Sequence, residues 1–255
     1  MSLLREVTAT RYVTPFREGG SMPGLVEADD LGMYVVKFRG AGQGVKVLVA
    51  EVVVGELARR LGFRIPEIVL VHLDPELGRA EPDQEVQELL KASGGLNLGL
   101  DYLPGSFDYN PVVRDPGADL ATRLLWFDAL VLNVDRSWRN PNMLLWHREP
   151  WLIDHGASLY FHHSWSEDRP ATKDFRFDPS DHAMLPHAGP LSEVDADLAA
   201  RITPELLGEV LALVPDEWLE GDPAELRQRY RDFFTHRLAN RGWVDSLEAA
   251  RAARV

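Results

Sequence analysis

Leu132-Asn133-Val134-Asp135-Arg136-Ser137-Trp138-Arg139-Asn140-Pro141-Asn142, followed after two short apolar runs by Ile153-Asp154-His155-Gly156, is the stretch on which the reading of this chain turns. It is preceded by apolar residues at 120, 124, 125, 127, 130, 131 and 132, the spacing of a long, well-buried helix. The runs 143–146 and 151–153 flank His147-Arg148-Glu149-Pro150 and read as a β-hairpin. A helix end, a polar loop rich in Asp and Asn, and a hairpin ending in another Asp gather acceptor oxygens in one place. With the turn centred on 148 and 149, antiparallel pairing sets residue 143 opposite 154 and brings Asp154 beside residues 140–142. Carboxylate and amide oxygens with water left in place suit Mg²⁺, a hard cation that usually shares its shell with substrate phosphates.

Upstream, residues 33–38 (Met-Tyr-Val-Val-Lys-Phe) read as a strand behind the glycine-rich turn of residues 19–24. A flexible stretch over 40–44 leads to a helical repeat over 46–61, stopped by Gly62. A further strand is expected from 65 to 73, an acidic loop over 74–88 running into a short helix, and a strand from 96 to 103 ending at Pro104-Gly105. Downstream, residues 190–255 read as mainly helical, with Pro204 in a first turn after Thr203 and an amphipathic helix over 226–238. Strands first and helices after argue for an α+β fold of two lobes, divided as residues 1–104 and 105–255.

At 255 residues the chain can hide roughly 75% of its unfolded surface, enough for a core without staples. The absence of cysteine excludes disulfides, thiolate metal sites and cysteine nucleophiles. Forty acidic against 27 basic residues, a net charge of −13, disfavour general nucleic-acid binding. No signal-peptide core or membrane-length apolar run is present, so a cytoplasmic protein without membrane partners is expected. Nothing in the sequence sets the oligomeric state. Only four of the 27 basic residues are lysines, which makes Lys37, inside an apolar run, conspicuous.

Asp135 with Asn140 five residues on, then two strands, then Asp154-His155-Gly156, resembles the catalytic and metal-binding loops of protein-kinase-like phosphotransferases. The Asn-x-Asp opening without a His-Arg-Asp triplet looks most like HipA-type kinases, and secondarily like phosphoinositide kinases. Lys37 resembles the family's strand lysine, and Glu51 on the next helix resembles its salt-bridge partner. The resemblance covers about residues 17–160 in the correct order. It implies a two-lobed protein-kinase-like fold and an ATP- and Mg²⁺-dependent phosphotransferase acting on a hydroxyl acceptor. Lys37 would contact the phosphates, oriented by Glu51; Asp135 would orient and deprotonate the acceptor; Asn140 and Asp154 would hold Mg²⁺. Asn142 is the alternate metal residue, because it directly precedes the apolar strand. Gly19, Gly20 and Ser21 would lie over the nucleotide, and Asp101, Tyr102 and Leu103 would lie near the hinge.

Two other readings share these residues: a pseudokinase or nucleotide-binding scaffold, favoured by an incomplete Gly-x-Gly-x-x-Gly, and a kinase-fold adenylyl transferase. The acceptor, whether protein serine, small alcohol or lipid headgroup, is left open, although a phosphoinositide membrane fits poorly with the acidic balance. Adjacent His162 and His163 would point to opposite faces of a strand, a poor grip on one ion, so packing is the expected role. Trp126, Trp146, Trp151 and Trp165 are expected in the core. Ser21 reads as a plain turn residue, with phosphorylation implied only by the resemblance.

Overall fold

Residues Arg5–Pro15 form the first strand, β1, which the sequence reading did not anticipate. Its β-branched run alternates, burying Val7 and Ala9. The computed structural model describes residues 4–16, 22–42, 44–165 and 175–254. β1 pairs antiparallel with β2 (Gly24–Ala28) through its second half and parallel with β4 (Ile68–Leu73) through residues 5–8. β3 (Met33–Lys37) and β5 (Gly95–Asp101) complete a closed barrel in the order β1-β2-β3-β5-β4. Two register shifts between β1 and β2 supply the bending that closure requires. Val7, Val26, Val36, Val69 and Val71 fill the interior.

Helix α1 (Val45–Arg60) is the anticipated helix, but it buries far more than one face: every residue from Val47 to Ala58 is buried, Glu51 and Glu56 included. A helix apolar nearly all round is stable only when covered all round. α1 lies against β4 on one side and against α5 (Pro204–Leu211) and the turn carrying Trp218 on the other. The expected acidic loop over 74–88 is largely structured. Asp74 caps a 3₁₀ turn through the Glu76 N–H, and Asp83 caps α2 (Gln84–Ala92) through the Glu85 N–H. α2 turns Val86 and Leu90 into the barrel core.

After β5 the chain makes the short strand β6 (Phe107–Asp108), helix α3 (Ala118–Val131) and the hairpin β7 (Met143–Trp146) and β8 (Glu149–Leu152). Helices α4 (Asp195–Arg201), α5, α6 (Pro223–Ala239) and α7 (Gly242–Ala252) follow. Thr203 caps α5 and Asp222 caps α6, each with proline in the first turn, as the sequence indicated for α5. The architecture is α+β, strand-rich first and helical after. Among the described residues no helix is long and apolar enough to cross a membrane.

The hairpin register corrects the expectation. His147 and Arg148, both at positive φ (50° and 69°), form the two-residue turn, so Met143 faces Leu152 and not residue 154. Such turns match strand twist but usually recruit Asn or Gly, which is why the sequence did not locate this one. Pro150 belongs to β8, the outer strand of its sheet, where a missing N–H costs little. The expected proximity survives, because the Ile153 N–H donates to the Asn142 carbonyl at 3.0 Å.

Candidate active site

Lys37 ends β3 with its side chain only 8% exposed. Its ammonium donates to Glu51 Oε1 and, at 2.6 Å, to Asp154 Oδ1. The sequence-selected trio thus meets around one nitrogen, although its members are 14 and 117 residues from Lys37. Glu51 reaches it because α1 is buried on all sides and can turn a carboxylate inward only toward a cation. Asp154 reaches it because the chain leaves β8 in a left-handed conformation (φ 56°), a strained state for a non-glycine residue that recurs at functional sites. Gly156 allows the close approach: a Cβ there would sit 2.5 Å from Val47 Cγ1 and 3.1 Å from Glu51 Oε1.

One cation between two carboxylates leaves a net negative charge. Burial opposes the charged form of Lys37, but Glu51 and Asp154 outweigh it and hold the ammonium above its usual range. Burial likewise opposes the Asp154 carboxylate, and Lys37 overcomes it, so Asp154 lies below the ordinary value. Glu51 absorbs the imbalance: burial first, with the Asp154 charge added, pushes it up despite Lys37. The Glu51 side chain is closed to solvent, whereas that of Asp154 is 45% exposed and opens outward.

The loop between α3 and β7 carries Asp135. Leu132 closes α3 in the left-handed region (φ 57°), and the Asn133 N–H returns to the Asp128 carbonyl at 2.8 Å. Asn133 Oδ1 then accepts the Asp135 N–H at 3.2 Å, which leaves the Asp135 side chain at the surface. Asn142, buried and also left-handed (φ 49°), donates through Nδ2 to Asp135 Oδ2 at 3.1 Å. That bond fixes the amide's orientation and leaves its oxygen available. Asn140, by contrast, is exposed and bonds through its backbone N–H to Ser137. Asp135, Asn142 and Asp154 are therefore one neighbourhood, and the Asn140 side chain stands outside these contacts.

Sequence reasoning missed what holds the loop. Asp128, fully buried on α3, accepts Arg136 Nε at 2.6 Å, His182 Nε2 at 3.0 Å and Asn133 Nδ2 at 3.1 Å. Arg136 Nη1 in turn donates to the carbonyls of Pro141 (2.8 Å) and Asn142 (2.7 Å). A signal did exist: Asp128 is the one charge in the apolar run 124–132, the same oddity that singled out Lys37.

At the strip 101–103 the Asp101 N–H donates to the Glu67 carbonyl (2.8 Å) and the Tyr102 N–H to the Met33 carbonyl (2.9 Å), while Leu103 is buried. Burial, then the Glu67 charge, raises the Asp101 carboxyl. Gly19, Gly20 and Ser21 lie outside the described residues. The histidines 162 and 163 are in a 3₁₀ turn, Tyr160–Ser164, and not in a strand; His162 packs in the core against the Tyr230 hydroxyl at 2.9 Å. Trp126 is core, whereas Trp146 and Trp151 pack edge to face on the hairpin and are half-buried.

The barrel and the helical portion that follows it have counterparts among known proteins. The chain aligns with the crystal structure of a Helicobacter pylori proinflammatory kinase, CtkA, at a TM-score of 0.61 and 12% identity, covering 98% of both chains. A Golgi casein kinase solved with Mn and ADP aligns at a TM-score of 0.45 and 14% identity, over 93% of this chain and 73% of that one. A search of curated proteins returns no match. The likeness to CtkA establishes a protein-kinase-like fold, and a family model described as HipA-like kinase matches residues 10–240. A match over that span, on a kinase fold, makes the chain a member of the HipA-like kinase family.

Proposed function

We propose that this protein is an ATP- and Mg²⁺-dependent phosphotransferase that moves the γ-phosphate to a hydroxyl acceptor, with residues 1–104 and 105–255 as its two lobes. The observation that carries this reading is Lys37 held between Glu51 and Asp154, next to a loop in which Asn142 orients Asp135. The donor set fits Mg²⁺. Asp154 and Asn142 offer hard oxygens, and among the described residues no three His, Cys, Asp or Glu side chains form a metal cage. A cation held by one or two protein oxygens and by substrate phosphates is the usual Mg²⁺ arrangement.

Phosphoryl transfer asks little covalent chemistry of the protein; positioning and charge neutralisation supply most of the rate. Bound Mg²⁺ would neutralise the phosphate oxygens. Lys37 would exchange part of its carboxylate contact for the α- and β-phosphates, while Glu51 keeps its ammonium in place. Asp135 would hold the acceptor hydroxyl in line and take its proton as the new P–O bond forms and the bond to the leaving ADP breaks. Asn142 and Asp154 would supply the protein oxygens to the metal. Asn142 is preferred to Asn140 because its amide nitrogen is committed to Asp135 and its backbone to Ile153. Leu103 and its neighbours would border the nucleotide at the hinge.

Exposed apolar side chains flank Asp135: Val134 is 59% and Trp138 54% exposed. That surface supports a polypeptide acceptor presenting Ser or Thr beside an apolar residue. The test is thermal stabilisation by ATP with and without Mg²⁺, followed by intact-mass analysis. No stabilisation at millimolar ATP would overturn the reading. Added mass of a phosphate supports transfer of phosphoryl, added nucleotide mass supports adenylyl transfer, and binding without either supports a scaffold.

A further inference from the structure

We infer that Asp128, Arg136 and His182 form a buried positioning triad that sets the geometry of the metal side of the site and ties it to the segment 178–185. The inference rests on the phosphotransferase reading for its consequence and on geometry alone for its existence. Asp128 and Arg136 side chains are 0% exposed and that of His182 is 2% exposed, so each is effectively withdrawn from water. Burial alone would push the Asp128 carboxyl up; Arg136 first, then His182, hold it below its ordinary value, so it carries charge. A buried ion pair rarely adds net stability over an apolar replacement; this network instead restricts geometry through Arg136 Nε and Nη1 and both His182 nitrogens, while Arg136 Nη2 is buried without a hydrogen-bond partner among the described residues.

The restriction here is directional. Arg136 follows Asp135 directly, and its guanidinium spans from Asp128 to the carbonyls of Pro141 and Asn142. It therefore draws the two ends of the loop together and determines how far Asn142 stands from Asp135. His182 acts from outside the loop. Its Nδ1 accepts the Met184 N–H at 3.2 Å, so the ring proton is on Nε2 and points at Asp128. Two backbone hydrogen bonds run beside it, the Trp138 N–H to the Asp181 carbonyl (3.0 Å) and the Ala183 N–H to the Arg136 carbonyl (3.1 Å), and together they make the antiparallel bridge between Ser137 and His182. None of the three triad side chains hydrogen-bonds Lys37, Glu51 or Asp154 among the described residues, so they position and do not react.

The experiment compares Asp128→Asn, His182→Ala and His182→Gln in the full chain. Gln can return an N–H to Asp128, and Ala cannot. Amide hydrogen exchange is read at Asp135, Ser137, Trp138 and Ala183 against the amides of β4 and β5. Asp128→Asn and His182→Ala should speed the loop amides by at least about tenfold relative to the barrel, and His182→Gln should recover most of that protection. In parallel, the Mg²⁺ concentration giving half-maximal ATP turnover should rise several-fold in the first two variants, with ATP binding in the absence of Mg²⁺ unchanged. Exchange that rises evenly through the whole molecule, His182→Gln no better than His182→Ala, or coincident Mg²⁺ curves would overturn the triad. A wild-type protein that binds no nucleotide would overturn the kinase reading, and the exchange comparison would still decide the triad. Should Asp128→Asn fail to fold, the two His182 variants carry the comparison.

Discussion

Two clusters of the molecule pair a buried cation with a buried carboxylate and differ in what they leave unfinished. Around Lys37, one ammonium faces two carboxylates, and the Asp154 side chain is 45% open to solvent. Around Asp128, one carboxylate faces a guanidinium and two further donors, all closed off. The first is over-supplied with negative charge and accessible, the condition of a site that a ligand completes. The second is matched in charge and sealed, with Arg136 Nη2 its one guanidinium nitrogen lacking a hydrogen-bond partner among the described residues, the condition of internal scaffolding. Composition is similar in both; exposure and charge balance separate a place for chemistry from a place that holds chemistry in position.

The sharpest test of that contrast is Asp135→Ala. It should lower phosphate transfer by ~10²–10⁴-fold, the range for a lost general base, while the ATP-induced thermal shift stays as in wild type. Arg136→Met should act oppositely. It leaves the Asp128 charge buried and under-paired, and should cost ~3–5 kcal/mol in denaturant unfolding. A stability loss below about 1 kcal/mol for Arg136→Met would erase the distinction between the two clusters.

The pH dependence comes next in size. Burial, then like charge (Arg136 for His155, His163 for His162), brings both histidines down to about 3. The unfolded chain binds those protons near pH 6.5 and the folded chain does not. Stability should therefore fall as pH drops from about 6.5 toward 3, by ~1.4 kcal/mol per pH unit for each histidine. His162→Phe should remove one histidine's share of that slope in unfolding curves measured across the window.

Gly156→Ala addresses the first cluster alone. Its Cβ would press on Val47 and approach Glu51, for a cost of ~1–3 kcal/mol and a weaker response to nucleotide. The smallest expected effect is the most discriminating for the metal side. Asn140→Ala should change the Mg²⁺ dependence by less than about threefold, whereas Asn142→Ala should shift it by tenfold or more, since a single charge-assisted ligand is worth ~1.5–3 kcal/mol. Equal effects of the two substitutions would return Asn140 to consideration.

Much of the site was legible because its chemistry leaves residues out of place. A lysine in a strand, a glutamate in an apolar helix and aspartates after a helix and a hairpin are costly unless something uses them. The Asp128 network obeyed the same rule and was overlooked, since Arg136 and His182 look like ordinary surface residues when read singly. β1 went unread because none of its residues after Ala9 is buried, which dilutes the alternation, and because its parallel partner β4 lies far along the chain. The hairpin register slipped by two because His147 and Arg148 took the positive-φ positions that glycine and asparagine usually mark.

The order of strands, helices and polar loops, the lone lysine of β3 and the aspartates of the later loops were determined by the sequence itself. Periodicity and misplaced charge are local properties that survive without coordinates. Tertiary structure alone decided that Lys37 serves two carboxylates at once, that Asn142 and not Asn140 touches Asp135, and that Arg136 faces inward. Those outcomes depend on which distant surfaces pack together and on what burial costs a charge, and neither quantity is carried by any single stretch of chain.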